Sequence, residues 1–231
     1  MTPHTLSTSL PEPVLEGIAG AVASIGVCGE FPAIERGAVH RLLDDAAADR
    51  YPEAGRYVRA KLALVCAYAT LPIARDLPEL AAEAEGVVDL AVATMHGDGD
   101  PDVLEARTEQ LTDQVDDLLG APGCDPRAVY ALLACAAAVG TLLYDTTPEE
   151  IAADPLETDP ADWDASFLSS LAITGGASWE CLDGADERRR FWAWYLEEAL
   201  PYAWDAQQVL EPRPAVAGLA IDGVRGGTIA P

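Results

Sequence analysis

Positive charge is scarce in this chain. Fourteen Lys and Arg stand against 39 Asp and Glu, a formal charge of −25 over 231 residues. Proteins that hold nucleic acid or an anionic membrane through phosphates need a basic footprint, so neither partner is expected. Histidine is also rare, with only His4, His40 and His96. His4 is expected in a poorly structured terminus. His40 lies beside Arg41, away from the strongest apolar positions, and is expected at the surface. The five cysteines are odd in number and include no CxxC pair, so neither a disulfide framework nor a structural zinc site is indicated. Cys66 and Cys135 fall in apolar helical runs and read as small buried hydrophobes.

No positively charged segment precedes an apolar one at the N-terminus, where Pro11, Glu12 and Pro13 interrupt the chain. A signal peptide is therefore not expected, and a reducing cytoplasm is the expected location. The longest uncharged run, residues 128–144, is at the short limit for crossing a bilayer and reads as a buried core helix. GxSxG, HExxH, a phosphate-binding P-loop and a strand-borne GxGxxG are all missing. Nothing therefore selects a cofactor or a catalytic residue.

Half of the residues are hydrophobic, enough for a sizeable core despite the charge. Apolar residues recur at helical spacing between Pro, Gly and Asp breaks. Helices are expected over 13–27, 36–48, 53–71 (with Arg56 and Arg59 outside), 78–95, 102–119, 126–144, a short one after Thr147, 167–173, and 186–200. Pro201 is expected to kink the last. Strict alternation is lacking, apart from a short segment at 216–224 that could be extended. The fold class is all-α: a single irregular bundle of about eight or nine helices over 1–210, followed by a Pro/Gly-rich tail at 211–231.

The run His96-Gly-Asp98-Gly-Asp100-Pro-Asp102 resembles the start of a calcium loop, with Glu109 at the twelfth position. Val103 occupies the position that needs glycine, however. Asp102 is more simply a helix N-cap with Glu105 three residues on, so metal is not expected. Between 154 and 164 the chain reads as an exposed acidic loop.

Residues 188–204 hold three of the five tryptophans. On a straight α-helix Phe191, Trp192, Trp194, Tyr195, Leu196, Ala199 and Leu200 fill well over half the circumference, wider than the stripe of an ordinary surface helix. Such a helix is central, or it serves both a core and a partner. Glu198 falls between Phe191 and Trp194 on that arc, a costly place for a carboxylate. Arg188, Arg189 and Arg190 oppose the helix dipole at its start. They are expected to pair with acids, for instance in the 154–164 loop, or to stack on Trp192 and Trp194.

The pattern Arg-x-Phe-Trp-x-Trp-Tyr-Leu-x-Glu-Ala-Leu-Pro-x-Ala-Trp resembles a signature of an all-helical immunity family of bacterial polymorphic toxin systems, the family numbered five. The resemblance implies a protein that binds and neutralises a toxin made by its own cell, by capture rather than catalysis. The charge agrees with a basic toxin found by electrostatic steering, although an acidic proteome would account for it equally. On this reading Trp192, Trp194, Glu198 and Trp204 are candidate close contacts, and Asp113, Asp116, Asp117, Asp159 and Asp162 candidate steering charges. Two alternatives remain: a metal-dependent helical enzyme using His96, Asp98, Asp100 and Glu109, and an acidic adaptor. Exposed aromatic surface would equally serve a homodimer.

Overall fold

The computed structural model describes residues 10–51, 53–118, 121–179, 183–205 and 210. Among them the chain is all-helical, without strands. The order is α1 (Glu12–Ser24), α2 (Ala33–Ala47), α3 (Ala54–Thr70), a 3-10 turn (Leu71–Asp76), α4 (Pro78–Met95), α5 (Pro101–Asp116), α6 (Pro126–Tyr144), α7 (Pro148–Ile151), a second 3-10 turn (Pro160–Asp162), α8 (Ala165–Thr174) and α9 (Ala185–Trp194). The last continues without a break through a π turn (Tyr195–Ala199) into α10 (Leu200–Trp204). The proposed tail at 211–231, its 216–224 segment and His4 lie outside the described residues.

Proline and acid punctuation set the starts. Pro78, Pro101, Pro126 and Pro148 each sit in a first turn, where a missing N–H costs nothing. Asp125 and Thr147 cap α6 and α7, and Thr147 closes a full capping box with Glu150. For α5 the cap is Asp100, not Asp102: the Asp100 carboxylate accepts the Asp102 amide at 3.0 Å, and Pro101 takes the first helical position. At the far end of α6, Asp145 adopts a left-handed conformation (φ 59°), which aspartate tolerates better than most residues.

Two helices make the centre. Packed against α6 are α3, α4, α5, α8 and the first 3-10 turn. α3 is buried nearly all round, with Leu62, Leu64, Val65, Cys66 and Ala67 at most 1% exposed. α6, and α3 taken together with the 3-10 turn after it, are long and apolar enough to cross a membrane by length and composition, yet half or more of each apolar stretch is buried within this bundle. The expectation that Arg59 faces outward is wrong. Arg59 is 5% exposed and bonds Asp44 on α2 and Asp145 after α6, the latter at 2.6 Å. Those partners lie on other elements, so the periodicity of α3 gives no sign of them.

The π turn reorganises the aromatic helix. Pro201 has no N–H to give, and its ring would collide with the Glu197 carbonyl in a straight α-helix. Instead the Leu200 amide reaches back five residues to the Tyr195 carbonyl. The extra residue in that turn slips the register. Phe191, Trp192, Trp194, Tyr195, Leu196, Ala199 and Leu200 all stay buried, while Glu197 and Glu198 turn to solvent. Glu198 is therefore not the buried carboxylate that a straight wheel implies.

Candidate functional site

Chemistry-bearing side chains gather in two places: a buried polar cluster in the middle of the bundle and an acidic hairpin on its outside.

The buried cluster joins α2, α3, α8 and the π turn. Arg36, 2% exposed, donates to the Phe31 carbonyl at 2.9 Å and to Asp164 at 3.0 Å. Its guanidinium also lies over the Phe167 and Trp192 rings, at 5.2 and 5.4 Å. Asp164 caps α8 by accepting the Ser166 and Phe167 amides, both at 3.0 Å. It closes the acidic loop by turning inward, so it is not part of an exposed stretch. His40 is the second correction to the surface assignments. It is 4% exposed, and its Nε2 lies 2.7 Å from the Tyr195 hydroxyl. With Arg59, Thr141, Ser166 and Tyr195, His40 lines a cavity of about 20 Å³, the size of a single water. A cavity that small has no room for an organic substrate.

Burial lowers His40 to about 4, with Arg59 and Arg36 acting in the same sense and Asp164 opposing. Burial alone would raise the Asp164 carboxyl, but Arg36 and the Ser166 and Phe167 donors outweigh it and hold it below the usual range. The unfolded chain therefore takes up a proton on His40 before the folded one does. Stability should fall as pH drops from about 6.5 to about 4, and the Asp164 contribution is lost at still lower pH. His40→Gln, which can still bond Tyr195, should flatten the upper part of that acid limb. Urea unfolding midpoints across pH 4–7 measure it, and an unchanged slope would remove His40 from the account.

The arginine run is divided. Arg188 is fully buried and donates to the Cys28 carbonyl at 3.0 Å. Arg189 bonds Asp186 at 2.6 Å and the Val27 carbonyl at 3.0 Å, and Arg190 bonds Glu187 at 2.8 Å. The ion pairs of Arg189 and Arg190 are thus within the helix itself, with Asp186 and Glu187. The guanidinium over Trp192 belongs to Arg36, and Arg50 lies 3.7 Å from the Trp204 ring centroid. Glu30, which composition and spacing did not single out, sits between Arg36 and Arg188. Burial raises its carboxyl against the pull of both.

Of the candidate contacts, Trp192, Trp194 and Trp204 are 0, 4 and 2% exposed. In this conformation their rings are core, and Glu198 alone of that group faces solvent.

The outer hairpin is α4 and α5. Residues 76–117 carry thirteen Asp and Glu against one arginine. That arginine, Arg107, is held between the two helices by Glu83, at 2.8 and 3.0 Å. Asp113, Asp116 and Asp117 are exposed on α5, and Asp159 and Asp162 are exposed in a separate segment before α8. In the calcium-like stretch, His96, Asp98, Asp100, Asp102 and Glu109 are likewise exposed, and the Asp100 carboxylate serves as the α5 cap. Among the described residues no three His, Cys, Asp or Glu side chains converge as a metal site requires.

Among curated proteins, none matches the chain. A family model does: the family described as Immunity protein Imm5 matches residues 26–202, from the turn before α2 into α10.

Proposed function

The chain belongs to the Imm5 family of immunity proteins, and from that premise we propose that it binds a cognate toxin stoichiometrically and blocks it without catalysis. The observation that carries the reading is the family match over residues 26–202. The acidic hairpin supports a basic partner. Thirteen carboxylates on and beside two adjacent helices set up a field that accelerates encounter with positive surface and repels nucleic acid and anionic lipid.

A protection assay tests this. Cells lacking the chain are mixed with parental cells that retain it. The proposal expects the deleted strain to be killed and survival to return when the chain is supplied on a plasmid. Equal survival with and without the chain would overturn it.

The electrostatic part has its own readout. With the partner in hand, association should slow by about tenfold or more between about 0.01 and 0.5 M ionic strength. Replacing Asp113, Asp116 and Asp117 together by lysine should lower the on-rate at low salt with little change in dissociation. An on-rate indifferent to both would remove the steering role of α5.

A further inference from the structure

α6 shows solvent a stripe without charge. Tyr130, Leu133, Ala137, Gly140 and Tyr144 recur at three- and four-residue spacing. The first four are partly exposed, and Tyr144 is 67% exposed at the end. A surface helix ordinarily sets charged residues opposite its buried face. The single charged residue in α6 is Arg127, bonded to the Asp125 cap at 2.7 Å. At Gly140 an added Cβ would meet nothing within 4 Å, so the backbone itself can be approached closely there.

One edge of the stripe is acidic. The Tyr144 hydroxyl donates to Glu105 on α5. That bond raises its pKa, and the Glu105 and Glu109 charges add to the effect. Glu105, Glu109, Thr112 and Asp116, at i, i+4, i+7 and i+11, share that side of α5. An apolar strip rimmed by charge is the anatomy of a protein interface.

We propose that the cognate toxin docks along this face, laying aliphatic or aromatic side chains on Leu133, Ala137 and Gly140 and lysine or arginine against the α5 edge. The proposal rests on the immunity reading and deepens it. Charge selects the occupant. A second copy would bring two hairpins of thirteen carboxylates towards each other, and an anionic lipid surface would be repelled in the same way.

The test is the protection assay with variants of the full chain: Gly140→Trp, Ala137→Arg and Tyr144→Ala, with Ile34→Arg, 66% exposed on α2, as an off-face control. Purified variants are first melted to confirm the fold. Gly140→Trp, which enters open space, and Tyr144→Ala, at an exposed position, guard against a folding defect in Ala137→Arg. The expected result is survival falling to that of the deleted strain for Gly140→Trp and Ala137→Arg, a partial loss for Tyr144→Ala, and full protection by Ile34→Arg. Full protection by folded Gly140→Trp and Ala137→Arg would overturn docking on α6 while leaving immunity intact. No protection by the wild-type chain would overturn both. A wild-type dimer in sedimentation that Gly140→Trp converts to monomer would assign the face to self-association instead.

Discussion

Trp192→Ala is expected to cost the fold about 3–5 kcal/mol, the range for deleting a fully buried tryptophan. The ring is 0% exposed and meets Phe31, Phe191 and Tyr195 edge to face at 5.5, 4.9 and 5.4 Å. It also carries one of the two faces on which the Arg36 guanidinium rests. Truncation therefore opens a cavity and removes a cation–π contact from a charge that is 2% exposed. The urea midpoint should fall with m unchanged. Glu198→Ala, six residues along the same helix but exposed, should stay within about 0.5 kcal/mol. If Trp192→Ala proved near neutral and Glu198→Ala costly, the register of the aromatic helix would be wrong and the straight-helix reading right. A loss of this size also lowers the amount of folded protein in the cell. Reduced immunity from Trp192→Ala would therefore not identify a contact.

Which features were legible in the sequence follows from where their causes lie. α4 spans Pro78–Met95, the limits that its proline start and apolar spacing indicate. α6, α7 and the glycine stop after α8 are equally local, set by Asp125, by the Thr147–Glu150 box and by Gly175 at φ 83°. Features decided by a distant partner were not legible. His40 is buried because Tyr195, 155 residues away, bonds it. Arg59 is buried because Asp44 and Asp145 meet it from two other elements. Glu198 turns outward because Pro201 forces a turn with one residue more than the α-helical wheel assumes. For the candidate site the split is similar. Exposed acids on α5 follow from its amphipathic pattern. The apolar stripe of α6 does not, because in sequence it cannot be told from the core faces of the same helix, and only the positions of α5 and α8 reveal which side is left open.

The second large effect concerns Asp164, and it separates two roles of one carboxylate. Asp164 neutralises Arg36 inside the core and caps α8 through the Ser166 and Phe167 amides. Asparagine keeps the capping geometry, since Asn and Asp cap about equally well, but it removes the one carboxylate hydrogen-bonded to the buried guanidinium and leaves only the unbonded Glu30 charge near it. Breaking a buried pair in this way typically costs about 3–5 kcal/mol. Asp164→Asn should fall in that range, and Asp164→Ala should lose about 1 kcal/mol more for the missing cap. Arg36 is 2% exposed and is held otherwise by one carbonyl, two aromatic faces and the pull of Glu30, so removing the charge as well should help. In the Asp164→Asn background, Arg36→Met should recover part of the loss, because an apolar side chain of similar length avoids the uncompensated desolvation. Chemical unfolding of the two single variants and the double variant measures the coupling. Recovery in the double variant identifies the unpaired guanidinium as the main source of the loss. An Asp164→Asn variant as stable as the wild type would show that the cap, and not the ion pair, is what Asp164 contributes to stability.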